Sequence, residues 1–233
     1  MLKQDLILRN PLRLLAAAGE EILQPGAFGA VLARAGVGKT ALVIQLALNT
    51  MLQNKKVLHI SLNQPVGKVS VWYQEVLDRF VQQHKVPQME HLWETLAPHR
   101  FIMTFQAEGF SAPKLEERLT DLTSQNIFTP NLVLIDGLAF DNQARNTLAA
   151  LKNMAVEQQL PFWFTVTTHR HEAPAQDGLP VQISPVQDLF DVAIALQPER
   201  DTIHIKPLKG VSLAEPEASL TLDPATMLIQ GNE

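Results

Sequence analysis

Short apolar runs rich in β-branched and aromatic residues alternate along this chain with stretches whose apolar positions recur every three or four residues. Gly29 to Leu32, Lys56 to Leu62, Arg100 to Phe105, Leu132 to Ile135 and Pro161 to Thr167 read as strands. Between them, Ala41 to Leu52, Val66 to His84, Met89 to Ala97, Ala112 to Gln125 and Asp141 to Gln159 read as helices, with Ser111 a candidate N-cap. Strands that are apolar throughout belong to parallel sheets, because crossover helices exclude water from both faces. Further on, Asp191 to Leu196, Thr202 to Lys206, Ser219 to Leu222 and Met227 to Ile229 are spaced for hairpins. The expected fold is therefore α/β: a mostly parallel central sheet flanked by helices, with antiparallel strands at the C-terminal end. On the helix Val66 to His84 the apolar face is read as Val69, Trp72, Val76, Leu77 and Phe80, with Trp72 in the core and Tyr73 at its border. That packing role is preferred to base stacking for both aromatics.

Composition narrows the class. The 233 residues are 46% hydrophobic and 18% charged, enough for one substantial core and a single domain. It divides into an N-terminal segment 1–25, a core 26–170, a mobile loop 171–188 and C-terminal strands 189–233. Without cysteine there is no disulfide or thiolate chemistry. The absence of a secretory signal or a bilayer-length apolar run leads to an expectation of a cytoplasmic protein with no membrane partner. A net charge of −5 makes nucleic acid a disfavoured partner. The stretch Leu12 to Ala18 reads equally well as a segment docking on a neighbouring subunit or as a cover for a sheet edge.

The chemistry concentrates at Ala33-Arg34-Ala35-Gly36-Val37-Gly38-Lys39-Thr40, between a strand and a helix. This is the context of a phosphate-binding loop. Backbone N–H groups of Ala35, Gly36, Val37, Gly38, Lys39, Thr40 and Ala41 would surround a phosphate chain at the positive end of the helix. Lys39 would reach the β- and γ-phosphates, and the Thr40 hydroxyl would bind Mg²⁺. Gly36 and Gly38 suit a loop needing positive φ or close approach. Ala33 stands where the motif usually opens with glycine, which is tolerable if Ala33 still has strand dihedrals. The second feature is Asn131-Leu132-Val133-Leu134-Ile135-Asp136-Gly137, an apolar strand delivering one carboxylate at its end. Carboxyl ends of strands in an open α/β sheet share one rim, so Asp136 is placed to hold Mg²⁺ across from Thr40, through water. Without the loop, Asp136 would read as a turn residue.

Together these phrases make the chain similar to the RecA-like P-loop ATPases of the DnaB and KaiC type. The likeness rests on Val31 to Thr40, on Lys56-Val57-Leu58-His59-Ile60-Ser61-Leu62 as the next strand, and on the spacing through Phe101 to Phe105 and Ser111 to Asp136. It covers residues 26 to 170. The resemblance implies ATP and Mg²⁺ as ligands, Asp136 as the Walker B aspartate, and a possible homo-oligomer, ring or dimer, with an unidentified protein partner. In that family a water-activating glutamate follows the strand ending Ser61-Leu62, whereas this chain has Asn63 and Gln64. An amide orients water but accepts no proton. Glu75, Glu108 and Glu172 are possible substitutes among which spacing does not choose.

The family also places a γ-phosphate sensor after the strand that follows Walker B, which points to Thr168 and His169. His169, His171 and Glu172 loosely resemble metal ligands, but without further ligands nearby a solvated loop is the better reading. Lys206 and Lys209-Gly210 resemble the basic residues that such subunits insert into a neighbour's site. Here Pro207 interrupts and no arginine is present, so exposed strand-end lysines are the plainer reading. Three functions remain: a Mg-ATP-dependent switch or slow ATPase, which is preferred; a DNA motor or recombinase; and a small-molecule kinase. Residues 171–188 contain no lysine or arginine, which weighs against DNA. No arginine cluster suggests a kinase lid.

Overall fold

Nine strands lie in one sheet in the order β3-β2-β4-β5-β1-β6-β7-β8-β9. The structure, a computed structural model, describes residues 3, 6–7, 10–15, 21–84, 89–141, 143–170, 172–211 and 219–232. The strands are β1 Phe28–Ala33, β2 Val57–Ser61, β3 Arg100–Thr104, β4 Leu132–Asp136, β5 Phe162–Thr167, β6 Val192–Glu199, β7 Thr202–Lys209, β8 Ser219–Leu222 and β9 Ile229–Asn232. The helices are α1 Lys39–Leu52, α2 Val66–Gln83, α3 Met89–Leu96, α4 Ala112–Ser124 and α5 Ala144–Gln158. β1 to β6 run parallel, and β7, β8 and β9 follow as antiparallel neighbours. The α/β reading with a mostly parallel sheet and an antiparallel C-terminal end therefore holds. One refinement concerns β6, which opens the first hairpin yet lies parallel to β1. Among the described residues, no helix is long and apolar enough to cross a membrane.

Two apolar layers hold the sheet between them. One joins α1, α2 and α3 to Val57, Leu132, Leu134 and Trp163, and the other joins α4 and α5 to Phe28, Leu58, Val133, Ile135 and Phe164. Crossovers leaving β1 and β2 thus cover one face, and those leaving β3 and β4 the other. With right-handed connections, that split opens crevices at the carboxyl ends of the strands where the direction reverses. The glycine loop after β1 and Asp136 both lie on this rim.

The helix patterns need one correction. On α2 the buried residues are Val69, Tyr73, Val76, Leu77, Phe80 and Val81, while Trp72 is only half-buried. Tyr73 is fully buried, the reverse of the expected order, because His59 and Arg100 give its hydroxyl and ring polar partners inside the protein. Ser111 occupies the N-cap of α4 but makes no side-chain cap hydrogen bond there. At the far edge, the 3-10 helix Pro11–Leu15 buries Leu12, Leu14 and Leu15, and Pro11 and Leu14 lie against Gly231 of β9. Edge cover is the role seen for this part of the N-terminal segment; residues 16–18 of the same stretch lie outside the described residues.

A side chain of α1 fastens the C-terminal strands to that helix. Gln45 on α1, largely buried, donates to Ala41 O at 3.1 Å and to Met227 O at 2.9 Å, and accepts from Ile229 N at 2.9 Å. Arg79 on α2 donates to Thr226 O at 3.1 Å. Replacing Gln45 by alanine leaves Met227 O and Ile229 N–H without partners in a dry place, each orphan costing about 1–3 kcal/mol. Gln45→Ala is therefore expected to lower unfolding free energy by about 2–4 kcal/mol in urea titrations, with the midpoint shifted and the slope retained.

Candidate functional site

β1 ends at Ala33, still paired with Thr167 of β5, so this alanine keeps strand geometry and the tight turn starts after it. The chain then runs through Arg34 to Gly38 and enters α1 at Lys39. Gly36 and Gly38 have φ of +77° and +109°. A Cβ at Gly38 would lie 2.5 Å from Leu222 Cδ2 and 3.2 Å from Met227 Sδ, so glycine is required there by both backbone and space. Ala35 and Gly36 are exposed, and Val37, Gly38, Lys39, Thr40 and Ala41 are half-buried. Gly38 O takes the N–H of Leu42 at 2.9 Å as the first helical bond. The N–H groups of Lys39, Thr40 and Ala41 belong to the first turn and have no intrahelical acceptor, which makes this end of α1 a seat for an anion.

Lys39 curls over the loop and donates to Ala33 O and Arg34 O, both at 3.0 Å. Burial lowers its pKa, and the negative charge of Asp136 opposes that shift. The Thr40 hydroxyl donates to Asp136 Oδ2 at 2.9 Å, joining residues 96 apart in sequence. Sequence pattern did not identify Thr165, a buried residue of β5, whose hydroxyl donates to Asp136 Oδ1 at 2.6 Å and accepts from Gly137 N at 3.1 Å. Its one signal is a hydroxyl in the otherwise apolar run Phe162–Val166, meaningful only once β5 is known to lie between β1 and β4.

These groups fit a hard divalent cation. A hydroxyl and a carboxylate within hydrogen-bond distance, beside unpaired N–H groups and a lysine, are what a Mg²⁺-phosphate pair needs from protein, since Mg²⁺ retains water and takes phosphate oxygens as its other ligands. Among the described residues no three His, Asp or Glu side chains cluster as a dedicated metal cage. His171, one of the three loosely suggested ligands, lies outside the described residues.

Asn63 is exposed at the same rim, its Nδ2 3.4 Å from Gly137 O. Gly137 has φ +93°, and a Cβ there would sit 2.2 Å from that amide nitrogen, so Gly137 allows Asn63 to stand beside the end of β4. A cleft of about 380 Å³ opens here, lined by Asn63, Gly137, Asp141, Thr167, His169, Glu172 and Gln182 among others. A second cleft, about 470 Å³, lies along Ala33 and Arg34 and is bounded by Thr168, His169, Glu172, Gln182 and Glu199. Thr168 is tied to the loop strand through its N–H to Ala33 O at 3.0 Å, and His169 is exposed between the two clefts. The structure thus brings Asn63, Thr168 and His169 to the rim that carries Lys39, Thr40 and Asp136. Glu75 and Glu108 are exposed and line neither cleft.

No protein-family model matches this chain, and no curated protein does. The site therefore rests on its own geometry.

The stretch expected as a mobile loop is internally bonded over 172–188. Asp177 accepts from Ser184 and Gln187, Glu172 accepts from Gln182, and Arg145 grips Asp188 with two bonds of 2.9 and 2.7 Å. Hydrogen bonds from Ser184 and from Leu179 N hold the Asp177 carboxyl below its ordinary pKa, and Arg145 does the same for Asp188. Lys206 pairs with Glu199 at 2.9 Å, and Lys209 donates to Gln187 O at 2.7 Å. Pro207 falls on β7 beside a register irregularity at Ala193 and Ile194, where a missing N–H is tolerated.

Beneath the rim lies a polar cluster. His59 of β2 is fully buried, with Nδ1 3.0 Å from Tyr73 Oη, and the Arg100 guanidinium stacks 4.6 Å from the Tyr73 ring and 4.9 Å from that of Trp93. Burial pushes His59 down to about 4; Asp136 opposes this and Arg100 reinforces it. Burial likewise raises the pKa of Tyr73. The unfolded chain then binds a proton at His59 between pH 6.5 and 4 that the native state refuses, so stability present above pH 6.5 is lost as pH falls through that window. A displacement of this size is on the order of 3 kcal/mol. Unfolding free energy measured at pH 7 and pH 4.5 is expected to fall less in His59→Gln than in the wild type.

Proposed function

We propose that this chain is a RecA-like protein that binds Mg-ATP and works as a nucleotide-dependent switch or slow ATPase. The observation that carries the reading is the Thr40-to-Asp136 hydrogen bond of 2.9 Å at the mouth of a loop with left-handed glycines and a lysine. It brings together from distant sequence the groups that a phosphate chain and its counter-ion need.

In this reading the first-turn N–H groups of α1 bind phosphate oxygens, and Lys39 leaves the loop carbonyls for the β- and γ-phosphates. Thr40 and Asp136 would hold Mg²⁺, which when bound neutralises phosphate charge and orients the terminal group. Thr165 keeps the Asp136 carboxylate facing Thr40. Thr168 and His169, one step past β5, are placed to respond to the terminal phosphate. Because Glu172 and Gln182 follow on the same rim, a contact at His169 biases the loop 172–188, and nucleotide state becomes a change of surface. A partner reading that surface, or a second copy of the chain, belongs to the proposal.

Binding is tested by mixing the full chain with labelled Mg-ATP and measuring retained nucleotide. Lys39→Ala is expected to lose at least about 100-fold in affinity, since a desolvated charge-assisted contact to phosphate is worth several kcal/mol when removed. Equal retention by wild type and variant would overturn the site assignment.

A further inference from the structure

We infer that Glu172 is the carboxylate that activates the attacking water, in place of the acid missing at Asn63; this rests on the reading of the rim as an Mg-ATP site. The cleft beside Gly137, the residue after Asp136, is lined by two acids, Asp141 and Glu172. Asp136 already receives Thr40 on one oxygen and Thr165 on the other. Asp141 accepts from Gln143 N at 2.8 Å just before α5, which commits it to the local turn. Glu172 is different in position and in engagement. It is the acid that borders both clefts, one shared with Asn63 and Gly137 and the other with Ala33 and Arg34. Its Oε2 is anchored by the Gln182 amide, and among the described residues its Oε1 has no partner.

A carboxylate at the junction between the phosphate loop and the Asp136 end stands on the side from which water would approach a terminal phosphate. The step balances with water as the co-reactant. Water oxygen bonds to the γ-phosphorus, the bond from that phosphorus to the bridging oxygen breaks, and its electron pair leaves with ADP. The water proton passes to Glu172 Oε1 and then to solvent, leaving inorganic phosphate. Asn63, fixed against Gly137 O, contributes orientation of the water without taking its proton.

The test is single-turnover conversion of labelled Mg-ATP by the full chain, with nucleotide binding measured alongside. Glu172→Gln is expected to slow conversion by about 100- to 10,000-fold while binding Mg-ATP as tightly as the wild type. Adding Asn63→Glu to that variant places an acid in the same cleft, and conversion is expected to return. Equal rates in wild type and Glu172→Gln, or a wild-type chain that binds ATP and never converts it, would overturn the role of Glu172 and leave the binding site standing. A wild-type chain that binds no Mg-ATP would overturn both.

Discussion

The carboxylate of Asp136 receives one hydroxyl from the first turn of α1 and another from the neighbouring strand β5, and these two bonds lock three separate segments into one rim. Both depend on strand order. β5 lies between β4 and β1, so Thr165 falls beside Asp136 while Thr168 falls beside Ala33. They depend equally on register. Asp136 pairs with Ser61 on β2, and a shift by one residue would turn its carboxylate toward α4 and α5, away from Thr40. The apolar run Leu132–Ile135 is buried on both faces and would suit either one, so the register is held by its polar ends, Asp136 with its two hydroxyls and Asn131, which accepts from Lys56 N.

Much of this was legible in the chain because it is local. Strand and helix positions follow from apolar runs and periodicity, and the loop is recognised by glycine, lysine and threonine between a strand and a helix. What sequence did not disclose is what depends on the arrangement of distant segments. Trp72 outranks Tyr73 on apolar character, yet Tyr73 takes the interior because His59 on β2 and Arg100 on β3 are there to meet it. Thr165 is silent until β5 is placed next to β4. Glu75, Glu108 and Glu172 are indistinguishable on spacing, and it is the return of the chain after β5 that carries Glu172 to the cleft beside Asn63. The parallel pairing of β6 with β1 was likewise hidden, since the same strand also begins a hairpin.

The buried polar cluster under the rim bears on the site through charge. Burial keeps His59 neutral and Tyr73 protonated near neutral pH, so neither adds a charge close to Asp136. Lys39 is half-buried with its ammonium on two backbone carbonyls; burial lowers its pKa and the charge of Asp136 opposes that shift. Arg100, stacked between Tyr73 and Trp93, spends its charge on aromatic faces at the sheet edge.

The antiparallel extension does more than lengthen the sheet. Leu222 and Met227 fill the space that a Cβ at Gly38 would need, and Gln45 ties the turn carrying Met227 to the first turns of α1. The glycine loop and the start of α1 are thereby held from one side by β8 and the start of β9, and from the other by Asp136. Both supports are half-buried or buried hydrogen bonds and apolar contacts. By contrast, the side-chain hydrogen bonds of 172–188, such as those of Asp177, Glu172 and Arg145, are exposed and weakened by competing water, and the buried anchors Leu179, Ile183 and Val186 all come after Gly178. Local opening follows the weakest set of contacts. In the proposed reading, the response to a terminal phosphate is concentrated in residues 172–178, which are largely exposed beside both clefts, while the glycine loop and Asp136 are held by half-buried and buried contacts.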